Sequence, residues 1–383
     1  MLENLKPAPK VTTSQTFRPG VEFDGTQGTA TTQGLESEPE NFDDFLLSAG
    51  LNPEEIDIIP PIRTSRWQQR EDGNWLTSYR FTFRRKTASL DLPVLLAEAK
   101  KKIKKTPLKP DGEKCLVVLW SDLQVGKVDY RGNSQSLIAR VELMQARLIA
   151  QVKREKPSRV IFADLGDTIE GFNNVASTAQ LQSNDLSIMQ QVDLATTFAW
   201  QTLKLLYSLC PNITYASVGS NHCQWRIGKD VVGKATDDWG VFIGRQLARL
   251  SGEAGLGIQF IEPQEDDESL AIDVFGDEFH VLGMVHGHQA KSPEQMGQWW
   301  KGQAFGQQAV AYATLLIHGH WHHLRVNELG STARGTSRFI VMASTMDNGS
   351  GYFKKRTGED SVPGLVTLIL ERGTDFTGTV WKL

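Results

Sequence analysis

The sequence predicts an α/β fold of layered sheets preceded by a small α+β module, and three observations carry that prediction. Apolar strands alternate with amphipathic helices between residues 115 and 218. Further apolar runs, EFHVLGMV, ATLLI, RFIVMAS and LVTLIL, come later and read as strands of a second sheet. Residues 41–110 differ in composition and hold a short helical pattern and two paired strands. Strand–helix alternation favours a layered sheet with helices on its faces, whereas a local hairpin needs no such cover.

Residues 1–40 are rich in Thr, Gly, Ser, Gln and Pro with few large apolar residues, which predicts an extended or disordered arm. NFDDFLLSAG predicts a short helix capped by Asn41 and ended by Gly50. RTSRWQQREDGNWLTSYRFTFRRK predicts two strands joined at Asp72-Gly73, a common hairpin turn. DLPVLLAEAKKKIKK, 91–105, predicts a helix with a basic end, and TPLKPDG a linker that closes the 41–110 module. The second region, 111–383, opens with CLVVLWS (115–121), a strand apolar on both faces. In SQSLIARVELMQARLIAQVKRE, residues Leu137, Val141, Met144, Leu148 and Val152 recur at helical spacing. RVIFA (159–163) is the next strand, DLSIMQQVDLATTFAWQTLKLLYSL the next helix, and NITYASV (212–218) a third strand. Residues 289–310 form an insert before ATLLI.

At 383 residues the chain implies two or three domains, and 40% hydrophobic with 22% charged residues is a globular composition. No apolar run approaches the ~20 residues that span a bilayer. The N-terminal MLENLKPAPKVTTSQTF lacks the charged-then-apolar order of a secretory signal. Three scattered cysteines, Cys115, Cys210 and Cys223, make neither a disulfide framework nor a CxxC zinc motif. Together these predict a cytoplasmic protein, of a cell or of a phage growing inside one. A net charge of −4 argues against wholesale coating of nucleic acid. Residues 84–114, however, carry ten lysines and arginines against four acids. That stretch reads either as a solvated helix and linker or as a contact to a phosphate backbone.

The residues just past each strand are more informative. CLVVLWS leads to Asp122-Leu123-Gln124, RVIFA to Asp164-Leu165-Gly166-Asp167, and NITYASV to Asn221-His222. EFHVLGMV leads to His286-Gly287-His288, and ATLLI to His318-Gly319-His320-Trp321-His322. Five strands thus deliver Asp, Asn or His at a carboxyl edge, where open α/β sheets place ligands. The chain has eight histidines and none before residue 222.

In this order the residues resemble the calcineurin-like metallophosphoesterases, whose motifs run D-x-H, G-D, G-N-H, H and G-H-x-H. The matching positions are Asp122, Gly166-Asp167, Asn221-His222, His286 and Gly319-His320-Trp321-His322, across residues 115–325. Phage-encoded and DNA-repair nucleases of that family look most similar, from the length and the Trp-rich insert. The resemblance implies a four-layer α/β/β/α sandwich over 111–383 with two divalent metal ions between the sheet edges. Asp167 matches the bridging carboxylate. Asp122, the Gln124 position and His322 match the first ion, with Asn221, His286 and His320 on the second. Two adjacent ions can clamp the attacking and leaving oxygens of a phosphoryl displacement. A mixed oxygen and nitrogen donor set suits Mn²⁺ first, with Mg²⁺, Fe or Zn²⁺ as alternatives. His222 matches the catalytic histidine, which stabilises the phosphate charge or protonates the departing oxygen.

The sequence departs from the family pattern at two positions. Gln124 stands where the first motif has histidine, and an amide oxygen is a weaker ligand than imidazole. Cys223 stands where an acid usually comes after the catalytic histidine, and reads as a small buried side chain. His288 and His323 read as neighbours of the centre or surface groups, His318 as a strand end, and His280 as a sheet residue.

For substrate, CQWRIGKDVVGK places Arg226, Lys229 and Lys234 just after His222, a loop able to follow a nucleic-acid backbone. The insert offers Trp299 and Trp300 beside Lys291 and Lys301, either to stack unpaired bases or to pack an insert helix on the core. The expected function is metal-dependent phosphodiester hydrolysis, with DNA (single strands or duplex ends) as substrate for an exo- or endonuclease. The alternatives are a phosphatase or small-nucleotide phosphodiesterase, and a non-catalytic nucleic-acid-binding protein. For residues 1–110 three partners stay open: DNA, a second copy of the chain, or a separate ATPase of the kind that accompanies repair nucleases. No GxxxxGKS or GxxxxGKT loop occurs, so an ATP-driven step requires another protein. No membrane partner is expected.

Overall fold

The computed structural model describes residues 19–23, 27–68, 73–85, 105–172, 184–227, 230–277, 279–351, 354–355, 358 and 360–383. The fold is mixed α/β with several sheets. The chain divides into two compact units, Met1–Ser89 and Leu90–Leu383.

In the first unit, β1 (Gly20–Phe23), β2 (Gln27–Thr31), β3 (Ile56–Gln68) and β4 (Trp75–Arg85) form an antiparallel sheet in the order β1-β2-β4-β3. Tyr79, Phe81 and Phe83 alternate with exposed Arg80 and Arg84, so one face of β4 is buried. Ala30, Leu46, Ile56, Phe81 and Phe83 make the core of this unit. Helix α1 (Asp43–Ser48) begins where the Asn41 side chain accepts from the Asp43 amide at 3.0 Å. It ends at Gly50 in the left-handed region. β1 and β2 lie inside the stretch expected to be an extended or disordered arm; these residues are extended, but as paired strands of the sheet rather than a free arm. Their small residues resemble linker composition, but at Gly28 the sheet requires one: a Cβ there would sit 2.5 Å from Cζ of Phe83. The two hairpin strands are present as expected, whereas Asp72 of their turn lies outside the described residues. Most of the helix expected over 91–105 also lies outside them, since residues 86–104 are not described.

The second unit begins with β5 (Lys114–Trp120), α2 (Ser134–Glu155), β6 (Arg159–Asp164), α3 (Ile188–Leu209) and β7 (Ile213–Ser217). Next come β8 (Arg226–Ile227), β9 (Asp230–Val231), α4 (Trp239–Glu253), β10 (Gln259–Ile261), β11 (Ser269–Asp273) and β12 (Val281–Val285). The last elements are α5 (Met296–Phe305), β13 (Leu315–His318), β14 (Arg325–Ser331), β15 (Ser337–Met342), β16 (Val366–Glu371) and β17 (Val380–Lys382). A six-stranded sheet runs β10-β7-β6-β5-β16-β17, with its first four strands parallel. A five-stranded sheet runs β11-β12-β13-β15-β14, parallel through β12, β13 and β15.

The continuous apolar run of β5 is explained by burial on both faces. Leu116, Val118 and Trp120 join a core with Leu137 and Leu148 of α2, Leu203 of α3 and Leu247 of α4. Val117 and Leu119 face the other way, into a cluster shared with Leu282, Leu315 and Val341 of the second sheet. A third cluster sets Met296 and Trp300 of α5 against Val285, Leu316 and Ile340. LVTLIL, expected in the second sheet, instead forms β16, antiparallel to β5 in the first, with Val366 opposite Leu119. Its apolar pattern encodes double burial but not the strand it pairs with. His280, expected within a strand, precedes β12; its ring nitrogens face Asp277 Oδ2 at 3.2 Å and the Thr374 carbonyl at 2.9 Å. No described helix is long and apolar enough to cross a membrane.

Candidate metal centre

The expected ligand positions sit just past the carboxyl ends of β5, β6, β7, β12 and β13, which the two sheets bring to one place. Backbone geometry marks them. Of the seven described non-glycine residues with positive φ, five are Asp122 (52°), Gln124 (45°), Asp167 (49°), His320 (71°) and His322 (66°). Left-handed backbone costs free energy in non-glycine residues and collects at functional sites. Close packing adds to the constraint: a Cβ at Gly319 would lie 2.5 Å from Asp122 Oδ2.

Asp167 is the hub. Its amide donates to Ser220 Oγ at 2.7 Å, and its Oδ1 accepts the His222 amide at 3.0 Å. Oδ2 lies 3.1 Å from His286 Nε2. The other nitrogen of His286, Nδ1, lies 2.7 Å from the Leu165 carbonyl. Donation to that carbonyl fixes the ring and aims Nε2 inward at Asp167, the usual support for an imidazole that ligates a metal in place of its Nε2 proton. Asn221 Oδ1 is 3.0 Å from the same Nε2. One ligand atom each from Asp167, His286 and His320 lies within 4.8 Å of the others. These donors, with the Asn221 oxygen, fit a divalent cation. Burial works to raise the Asp167 carboxyl, but the imidazoles of His286 and His222 outweigh it and hold it well below the carboxylate range. Burial drives His320 down to about 2, helped by repulsion from His286, so it presents a neutral ring with a lone pair for a ligand bond.

The other half of the centre is built differently. Asp122, fully buried, accepts the His320 amide at 3.1 Å and faces His322 Nε2 at 3.5 Å. His322 Nδ1 lies 3.7 Å from Asp347 Oδ2. Between Gln124 and Asp347 stands Lys127: its Nζ donates to Gln124 Oε1 at 2.6 Å and to Asp347 Oδ2 at 2.5 Å. The oxygen through which Gln124 would hold a first ion is thus engaged by an ammonium. Sequence reasoning missed both Lys127 and Asp347. For Asp347 the sequence does hold a signal, since it comes after β15 as the candidate ligands come after their strands.

His222, at the rim, lies 3.3 Å from Glu170 Oε2 through Nδ1 and 3.2 Å from Gln124 Nε2 through Nε2. Burial would lower its pKa, but the carboxylates of Asp167 and Glu170 outweigh this and lift it to about 9. Contacts therefore join Asp122, Gln124, Asp167, Asn221, His222, His286, His320 and His322 into one cluster. His288 faces Glu268 at 3.5 Å, and His318 is buried beside the Gly319 carbonyl at 3.0 Å. Cys223 is fully buried and its thiol is pushed well above its ordinary pKa by burial, in keeping with a packing role.

The expected nucleic-acid contacts fare differently. Trp300 is 2% exposed, and its indole donates to the Val310 carbonyl at 2.9 Å, so base stacking by Trp300 is withdrawn. Trp299 packs, partly buried, against the same cluster. Lys234 pairs with Glu265 at 2.6 Å, within the acidic stretch EPQEDDE. Arg226 donates to Gln224 at 2.8 Å, and Lys229 lies outside the described residues. Trp225, which carries no motif in the sequence and comes three residues after His222, is 51% exposed and stacks on Trp239 at 5.2 Å.

No protein-family model matches the chain, and no curated protein matches it.

Proposed function

We propose that this chain is a divalent-metal-dependent phosphodiesterase acting on nucleic acid, DNA in the first instance, with residues 111–383 arranged as a four-layer α/β/β/α metallophosphoesterase sandwich. The observation that carries the reading is the meeting of Asp167, His286 and His320, from three strand ends, with ligand atoms within 4.8 Å. A divalent cation bound there supplies Lewis acidity to a phosphoryl oxygen. The chain's own residues do the rest. Asp167 contributes the charge, the Leu165 carbonyl orients His286, and Asn221 adds an oxygen donor. His222 keeps its proton near neutral pH through Glu170 and Asp167, which suits it to protonate a departing oxygen. Trp225 offers an exposed ring on which an unpaired base can stack.

The test is cleavage of end-labelled single-stranded and duplex DNA, and of a generic aryl phosphodiester, with Mn²⁺ and with chelator. Metal-dependent DNA cleavage is expected, abolished in Asp167→Asn and reduced by about 10²–10⁴ in His222→Ala. Activity surviving both substitutions refutes the site. Turnover of the aryl ester alone assigns a small-molecule phosphodiesterase, and binding without turnover under any metal assigns a non-catalytic nucleic-acid-binding protein.

A further inference from the structure

We propose that Lys127 takes the place of one metal ion: the centre holds a single divalent cation at Asp167, His286 and His320, and the Lys127 ammonium is the second positive charge. The inference rests on the metal-centre reading and narrows it. Lys127 is 9% exposed, on a chain segment held in place by a turn. Its amide donates to the Gln124 carbonyl at 3.0 Å, and its own carbonyl accepts from Asn348 Nδ2 at 2.7 Å. The ammonium is thus fixed where Gln124 Oε1 and Asp347 Oδ2 converge, so an ion drawn to the same two oxygens would meet a positive charge already in place.

The residue choice at position 124 fits this arrangement. An amide can accept from an ammonium through its oxygen while its NH₂ group stays toward His222, as observed at 3.2 Å. The remaining donors on this side meet at different atoms: His322 faces Asp122 through Nε2 at 3.5 Å and Asp347 through the opposite nitrogen, Nδ1, at 3.7 Å. Among the described residues, the one group of three His, Cys, Asp or Glu with ligand atoms mutually within 4.8 Å lies on the other side, and excludes Asp122 and His322. A lysine ammonium is a compact point charge with three donors. Two are used here, on Gln124 and Asp347, which leaves one N–H for a substrate oxygen.

The experiment is Mn²⁺ stoichiometry of the full chain by titration calorimetry and by metal analysis, with the Mn²⁺ paramagnetic resonance signal recorded at saturation. One ion per chain is expected, with an isolated-ion signal, for wild type and for Lys127→Arg. Lys127→Ala is expected to take up a second ion and to show spin coupling between the two. Two ions in wild type overturn the inference while leaving the metal centre standing. A folded Lys127→Ala that still binds one ion also overturns it, because the ammonium is then not what excludes the second. No Mn²⁺ bound by wild type overturns the metal-centre reading and this inference together. Should Lys127→Ala fail to fold, Lys127→Met, which keeps the apolar stem without the charge, takes its place in the same measurements with the same two outcomes.

Discussion

Replacing Lys127 by methionine removes one charge of a buried pair while keeping most of the apolar stem. Asp347 is fully buried, and the Lys127 side chain is 11% exposed. Breaking such a pair from one side leaves an uncompensated carboxylate and costs about 3–5 kcal/mol. The lower end applies here, because Asp347 Oδ1 keeps the Gly349 amide at 2.9 Å. A loss of about 3 kcal/mol is a large part of the ~5–15 kcal/mol that holds a typical domain together. Urea unfolding in chelator should show a lower midpoint at unchanged slope. Adding Asp347→Asn should restore much of the loss, since the stranded charge is then gone, so the two substitutions should be strongly non-additive. Mn²⁺ at a hundred times its dissociation constant should stabilise the single variant by about 2.7 kcal/mol for each site filled. A loss below about 1 kcal/mol, or additive effects, would refute the buried pair as the organising contact on this side of the centre.

Trp300→Ala should cost about 3–5 kcal/mol of stability by leaving a cavity under α5, with single-strand affinity unchanged once folding is controlled for. Trp225→Ala should instead weaken single-strand binding by about 1–3 kcal/mol, read by fluorescence anisotropy, and an unaltered affinity would remove the stacking surface from the reading. Asp164 gives a pH signature. Burial pushes its carboxyl up to about 6 against the hydroxyl donors of Tyr215 and Thr168. The folded chain therefore binds more protons than the unfolded chain between about pH 4 and 6, and stability should fall as pH rises through that window. Asp164→Asn should flatten this part of the profile, and an unchanged profile in chemical denaturation would show the group to be ionised throughout.

Much of the second unit was legible in the sequence because its signals are local. The apolar spacing of Leu137, Val141, Met144, Leu148 and Val152 places α2 at the residues where it is found. Asp122, Asp167, Asn221, His286, His320 and His322 were singled out because each stands shortly after a strand and matches a motif of the family that the sequence resembles. Short-range pattern says less about the rest. Adjacent tryptophans at 299 and 300 lie about 100° apart on a helix, and only the packing of α5 shows that Trp300 turns to the core. The pairing of LVTLIL with β5 joins segments far apart in the chain, Val366 with Leu119, which no periodicity encodes.

The sequence by itself determined that polar residues stand at strand ends, since apolar runs stop where Asp, Asn and His begin. Only the tertiary structure decided which charges meet. Lys127 and Asp347 are 220 residues apart and look like unrelated surface charges in the sequence. The two sheets bring them together in a buried place, where each charge requires the other and where Gln124 has a reason to be an amide.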